Sequence, residues 1–275
     1  MSINVLIVSK GHAYAHDSFL EMFTDMDGIE ATLVEQPAAQ TVLQPEHAHV
    51  WDVVFFYDMC GIPGIGLTHD GADNTGIPPA RYVRAIEGLL ETGIGLLLVN
   101  HATVSWPLWP LWREIHGSSF MLTQGELNGK KLPGSGYRGG HGPLPSATIK
   151  LIPTMAHPLL DGIEEGFEVT DELYLKTDEY GPNVVPLLNG DYAFVQENFT
   201  PPPLAPTDEQ AHWSHPPGSN HIVWLNACRN APVVVSDVGD SPLAYDDEHY
   251  RKLIENACRW LASDAARAWA SLKVK

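Results

Sequence analysis

Seven side chains stand out for their chemistry and for where they fall along the chain. His12, His16 and Asp17 follow an apolar run, Asn4–Val8. Asp58 and Cys60 follow a second run, Asp52–Phe56, His101 follows Gly95–Val99, and Asp240 follows Pro232–Asp237. Imidazole titrates near neutrality, so it can give or take a proton at physiological pH. His12 and His16 are four apart with Asp17 next. On a helix the two rings would share a face and could hold one metal ion, with Asp17 as a third ligand. Asp17 also suits the N-cap of a helix starting near Ser18. His101 stands at a strand-to-helix turn, the place where hydrolases of related shape carry their nucleophile. A histidine there speaks against a serine or cysteine acyl-enzyme formed at that turn. Cys60 raises a Cys–His nucleophile as an alternative, but nothing in Gly61-Ile62-Pro63-Gly64 would lower its pKa.

These positions matter because of the elements that carry them. Asn4–Val8, Ala31–Val34, Asp52–Phe56 and Gly95–Val99 are short continuous apolar runs, which read as strands buried on both faces of a parallel sheet. Helical patterns over Ser18–Met26 and Pro79–Glu91 separate them. The reading is a three-layer α/β/α sandwich with a mainly parallel, doubly wound sheet. In such a sheet ligands bind outside the carboxyl ends of the strands, so the strand-end residues should meet in one crevice.

Further on, Ala147–Ile152, Phe167–Thr170, Val184–Leu188, Ala193–Gln196, His221–Ala227 and Pro232–Asp237 read as strands. Asp246–Ala262 reads as the terminal helix. Residues 125–142 and 200–218 read as loop insertions in a single domain spanning 1–275; the second holds six prolines. Trp106, Trp109 and Trp112 are three apart, a spacing that suits core packing or an aromatic face for a sugar ring. Trp213 and His215 could close over a ligand as a lid.

Lys plus Arg total 16 against 34 Asp plus Glu, a formal charge of −18. That balance argues against nucleic acid and against an anionic membrane surface. Three cysteines form no disulfide framework, and no run is long enough to span a membrane, so a cytoplasmic setting is expected. No GxGxxG, P-loop or HExxH motif is present. A homo-oligomer is compatible with the sequence, which does not fix the oligomeric state.

The chain resembles a known family in four places. Gly11-His12 with His16-Asp17 is similar to a Gly-His-x-x-x-His-Asp opening. Leu98-Val99-Asn100-His101-Ala102 with Ser105-Trp106-Pro107 resembles a central segment. His157-Pro158-Leu159, followed by Asp171-Glu172-Leu173-Tyr174, matches a His-Pro…Asp-Glu-x-Tyr block. Val238-Gly239-Asp240 stands where Leu-Gly-His is usual. The family is the ThuA-like (trehalose utilisation) family, within the class I glutamine amidotransferase-like superfamily. The resemblance implies a carbohydrate ligand, and a glycoside or 3-keto-glycoside processed by His and carboxylate acid–base chemistry. It makes His12, His101, Glu172 and Asp240 the catalytic candidates. His16, Asp17, Asp58, Trp106, Tyr174, Trp213 and His215 are the candidate substrate contacts. The cofactor to expect, if any, is a divalent ion, zinc or manganese, on His12, His16 and Asp17; Asp240 in place of histidine weakens a site that uses that position. The alternative is a non-catalytic sugar-binding or regulatory module on the same scaffold.

Overall fold

The computed structural model describes residues 2–62, 76–127 and 129–274. Each expected parallel strand forms, a residue or two longer than its apolar run: β1 (Ile3–Lys10), β2 (Ile29–Glu35), β3 (Val53–Asp58) and β4 (Gly95–Val99). Their alternation is what builds three layers. Val5 and Ile7 of β1, with Phe55 and Tyr57 of β3, point to one face. There they meet Phe19, Met22 and Phe23 of the helix His16–Thr24 and Leu253, Ile254 and Ala257 of the helix Glu248–Leu261. Leu6, Val8, Val54 and Phe56 point to the other face. They meet Tyr82, Ile86 and Leu89 of the helix Ala80–Thr92 and Trp112 of the helix Pro110–His116. A strand covered by helices on both sides can be apolar at every position, which is why these runs were legible.

Three short strands follow: β5 (Gly125–Leu127), β6 (Lys130–Leu132) and β7 (Gly136–Arg138). They fall in the stretch read as a loop insertion at 125–142. The main sheet continues with β8 (Ala147–Pro153) and β9 (Phe167–Asp171). Next come β10 (Leu173–Leu175), β11 (Val185–Gly190), β12 (His221–Cys228) and β13 (Ala231–Ser236). The nine-stranded sheet has the order β2-β1-β3-β4-β13-β12-β11-β8-β9. From β2 to β13 every pairing is parallel; from β13 to β9 every pairing is antiparallel. The sheet is therefore mixed, and its parallel half carries the crevice.

Three local expectations are corrected. Ala193–Gln196 is not a strand; Phe194 is buried, but the segment runs irregularly into a short 3-10 turn at Gln196–Asn198. The Pro-rich stretch 200–218 contains a short helix, Thr207–Ala211. A further helix, Asp264–Lys273, follows the expected terminal one and packs Ala266 and Ala270 inward. No helix among the described residues is long and apolar enough to cross a membrane.

Candidate functional site

β1, β3, β4 and β13 are neighbours in the sheet and end at matching levels: Lys10 pairs with Asp58, and Val99 with Ser236. Their carboxyl ends deliver His12, Asp58, His101 and Asp240 to one place. The turn after β1 needs glycine. Gly11 has φ +85°, and a Cβ there would lie 1.8 Å from the Met59 carbonyl oxygen. That tight passage turns His12 in toward β4.

The rings of His12 and His101 stack at 4.3 Å, and His141 stands edge-on to His12 at 5.1 Å. Asp240 faces both members of the stack: its Oδ1 lies 3.7 Å from His12 Nδ1 and 3.5 Å from His101 Nδ1. Burial, reinforced by the His101 ring, pushes His12 down to about 4, so its imidazole is neutral at neutral pH. Burial alone would raise the Asp240 carboxyl. The imidazoles of His101, His12 and His141 outweigh burial and hold it below the usual carboxylate range.

His101 is fixed by its surroundings. Asn100 precedes it in the left-handed region, with φ 50°, a conformation asparagine tolerates better than most side chains. The Asn100 carboxamide is oriented because its Nδ2 donates to Asp237 O at 3.1 Å. Its Oδ1 then accepts from the His101 backbone N–H at 2.6 Å and lies 3.0 Å from His101 Nδ1. His101 Nε2 lies 3.0 Å from the Tyr57 carbonyl oxygen, to which it donates. Behind this turn Lys176 forms a buried ion pair with Asp237, and its Nζ lies 4.5 Å from the Trp224 ring centroid.

Glu172 reaches the same place from the far edge of the sheet. After β9 the chain turns back, and β10 pairs antiparallel with β7 above the strand ends, Tyr174 opposite Tyr137. Asp171 secures this crossing: Oδ2 accepts from Asp240 N at 3.1 Å and from Gly239 N, and Oδ1 accepts from Glu172 N at 2.8 Å. The Glu172 carboxyl is only 4% exposed and lies between two phenols, Tyr137 at 2.7 Å and Tyr174. Tyr174 has one hydroxyl proton but faces two acceptors, Glu172 Oε1 and Asn100 Oδ1. A proton on Glu172 makes both contacts hydrogen bonds. The electrostatics agree: burial and the nearby Asp240 charge raise the Glu172 carboxyl above its ordinary range. Three hydrogen bonds thus connect His101 to Glu172 through Asn100 and Tyr174. Gly139 permits the close packing here, since a Cβ on it would lie 2.5 Å from Glu172 Cβ.

Other expected site residues lie elsewhere. The helix begins at His16, so His12 precedes it and the two do not share a helical face. The His16 side chain is 53% exposed and Asp17 is fully exposed, so the His12–His16–Asp17 ligand set is not assembled. Asp17 does not cap the helix either; Ala15 is the N-cap and no side chain bonds there. Trp106 is wholly buried against Tyr82 and presents no face to a ligand. Asp58 is buried beneath the site, bonded by Gln36 at 3.0 Å, and burial raises its carboxyl to about 6. Cys60 is 1% exposed and belongs to the core on the helix-80 side. Trp213 donates to Gly134 O at 2.8 Å and lines a cleft of about 400 Å³ that shares no residue with the histidine cluster. His215 Nδ1 lies 2.6 Å from Pro216 O, beside that loop. A larger cleft, about 700 Å³, runs past Pro107, Arg113, Met121 and Leu204 and also shares none of the cluster. We place the chemistry at the strand ends because the facing titratable groups are there. His141 was missed in the sequence; it sits in a glycine-rich stretch with no periodicity, and only the β7–β10 pairing shows where it points.

Fold and site together define an α/β sandwich with a histidine–carboxylate cluster at the switch from parallel to antiparallel strands. The chain belongs to the ThuA family, described as trehalose utilisation, which it matches over residues 4–261. Its fold is similar to that of a ThuA-like protein from Bacteroides uniformis, at 17% identity and TM-score 0.62, covering 95% of this chain and 92% of that one. A ThuA-like protein from Parabacteroides merdae is similar at 14% identity and TM-score 0.60, covering 96% and 91%. A cytoplasmic protein from Salmonella typhimurium is similar at 12% identity and TM-score 0.55, covering 93% and 98%. At these identities the likeness is one of fold. No curated protein sequence matches the chain.

Proposed function

We propose that the chain is an enzyme of carbohydrate use that performs acid–base chemistry on a glycoside or 3-keto-glycoside at the His12–His101–Asp240–Glu172 cluster. The observation that carries this reading is the opposed protonation of two neighbouring groups. His12 offers a neutral ring with Nδ1 unbonded, while Glu172 is a carboxyl held in its protonated form. Such a pair suits withdrawal of a proton beside a sugar carbonyl and delivery of one to a departing oxygen. The family's description as trehalose utilisation supports a sugar substrate.

The test is a screen of disaccharides, glycosides and their 3-keto forms for turnover. It should use His101→Gln rather than His101→Ala as the control, because His101 is 2% exposed and both of its ring nitrogens are engaged. Loss of at least about 100-fold in kcat is expected, in line with the usual share of general acid–base catalysis. Binding of a sugar with no turnover of any of these substrates would instead indicate a non-catalytic module.

A further inference from the structure

We infer that His12, His141 and Asp240 form a divalent-metal site, with zinc as the ion that fits its donors. The three come from the turn after β1, the loop after β7 and the turn after β13. One ligand atom of each lies within 4.8 Å of the other two. Two ligands at ordinary zinc distances on a tetrahedral ion are roughly 3.4 Å apart. His12 Nδ1 and Asp240 Oδ1 are at 3.7 Å, so a small inward shift completes that edge.

A second, independent observation is that both these atoms are buried and neither makes a hydrogen bond among the described residues. Buried polar atoms are normally partnered, and a shared cation would serve a ring nitrogen and a carboxylate oxygen together. His101 is excluded as a ligand although it is stacked on His12. Its Nε2 is committed to Tyr57 O, and its Nδ1 faces Asn100 Oδ1.

The surroundings are those of a supported site. Asp171 holds the Asp240 backbone, and the Tyr137 hydroxyl accepts from His141 N at 3.2 Å while donating to Glu172. Such outer contacts orient metal ligands. His141 is the exposed member, so the side of the cluster toward solvent is where water or a substrate oxygen would complete the coordination. Two imidazoles and one carboxylate are a donor set of catalytic zinc, which polarises carbonyl and hydroxyl oxygens. This deepens the reading of the site as sugar-processing and rests on it for the ligand class. With His12 and Asp240 on an ion, proton transfer falls to His101 and Glu172.

Metal content separates the two ideas, because it is read without turnover. Chelator-stripped protein is titrated with zinc, manganese and magnesium by calorimetry, and the bound metal is counted by elemental analysis. One zinc per chain is expected. His141→Ala and His12→Ala should each weaken it by more than about 100-fold, exceeding the loss seen when only an outer contact is removed. His16→Ala should bind as the parent does. His141 is exposed, so its variant folds, and circular dichroism checks this. Failure of the parent to bind zinc, full zinc uptake by His141→Ala, or uptake of manganese in preference to zinc would overturn the assignment. Zinc binding without turnover of any sugar would leave the metal site standing and remove the enzymatic reading.

Discussion

Replacing Lys176 with methionine tests how the turn that carries His101 is supported. Lys176 and Asp237 are each 2% exposed, and Asp237 Oδ1 has no hydrogen-bond partner among the described residues. Burial raises the Asp237 carboxyl, and the Lys176 ammonium opposes that rise. Removing the ammonium strands a carboxylate with one oxygen already unpaired, a change that costs about 3–5 kcal/mol in buried pairs. At ~2–4 °C per kcal/mol for a chain of this size, Tm should fall by roughly 6–20 °C. The double variant Lys176→Met/Asp237→Leu removes both charges and should recover most of the loss. The pH dependence has a definite sign. Without Lys176, Asp237 would hold its proton in the folded state well above the unfolded value of 3.8. The folded state then binds more protons than the unfolded one, so the deficit is largest at neutral pH and shrinks as pH falls toward 4. Urea unfolding of parent, single and double variants from pH 4 to pH 8 reads all of this. A single variant within 1 kcal/mol of the parent, or a double variant no better than the single, would refute the argument.

Two further outcomes are expected. Cys60→Ser should keep turnover within about tenfold of the parent, since the thiol is buried in the core; a loss of about a thousandfold with the fold intact would show a nucleophile. His116 is buried, which with Lys176 and Arg113 nearby pushes its pKa well below 6.5. The unfolded chain therefore gains a proton below pH 6.5 that the folded chain refuses, and stability falls by up to about 1.4 kcal/mol per pH unit. His116→Asn should flatten the stability–pH curve between pH 5 and 6.5, and parallel curves for the two proteins would contradict this.

The parallel half of the fold was legible because its strands are buried on both faces and so appear as unbroken apolar runs. The strand ends followed from topology, which is why His12, His101 and Asp240 were placed together correctly. Glu172 was found only through the family's Asp-Glu-x-Tyr block; no local period announces a chain that doubles back across a sheet. β5 to β7 escaped notice because three-residue strands leave no alternation to read. His16 misled because i, i+4 spacing means a shared face only inside a helix, and the helix starts one residue too late to include His12. Trp106 misled for a related reason: it lies between the 3-10 turn Asn100–Thr103 and the helix Pro110–His116, so its spacing to Trp112 is not that of one helix.

The Asp171 carboxylate that grips the Gly239–Asp240 backbone has a consequence for synthesis of the chain. It joins residues 68 apart at Gly239 and fixes a carboxylate that faces rings contributed by residues 12 and 101. A nascent chain still short of residue 240 can already contain β1 to β4, yet it lacks the group that both imidazoles face. The reactive cluster therefore closes only when nearly the whole polypeptide has left the ribosome, so ligand binding would report completion of the chain.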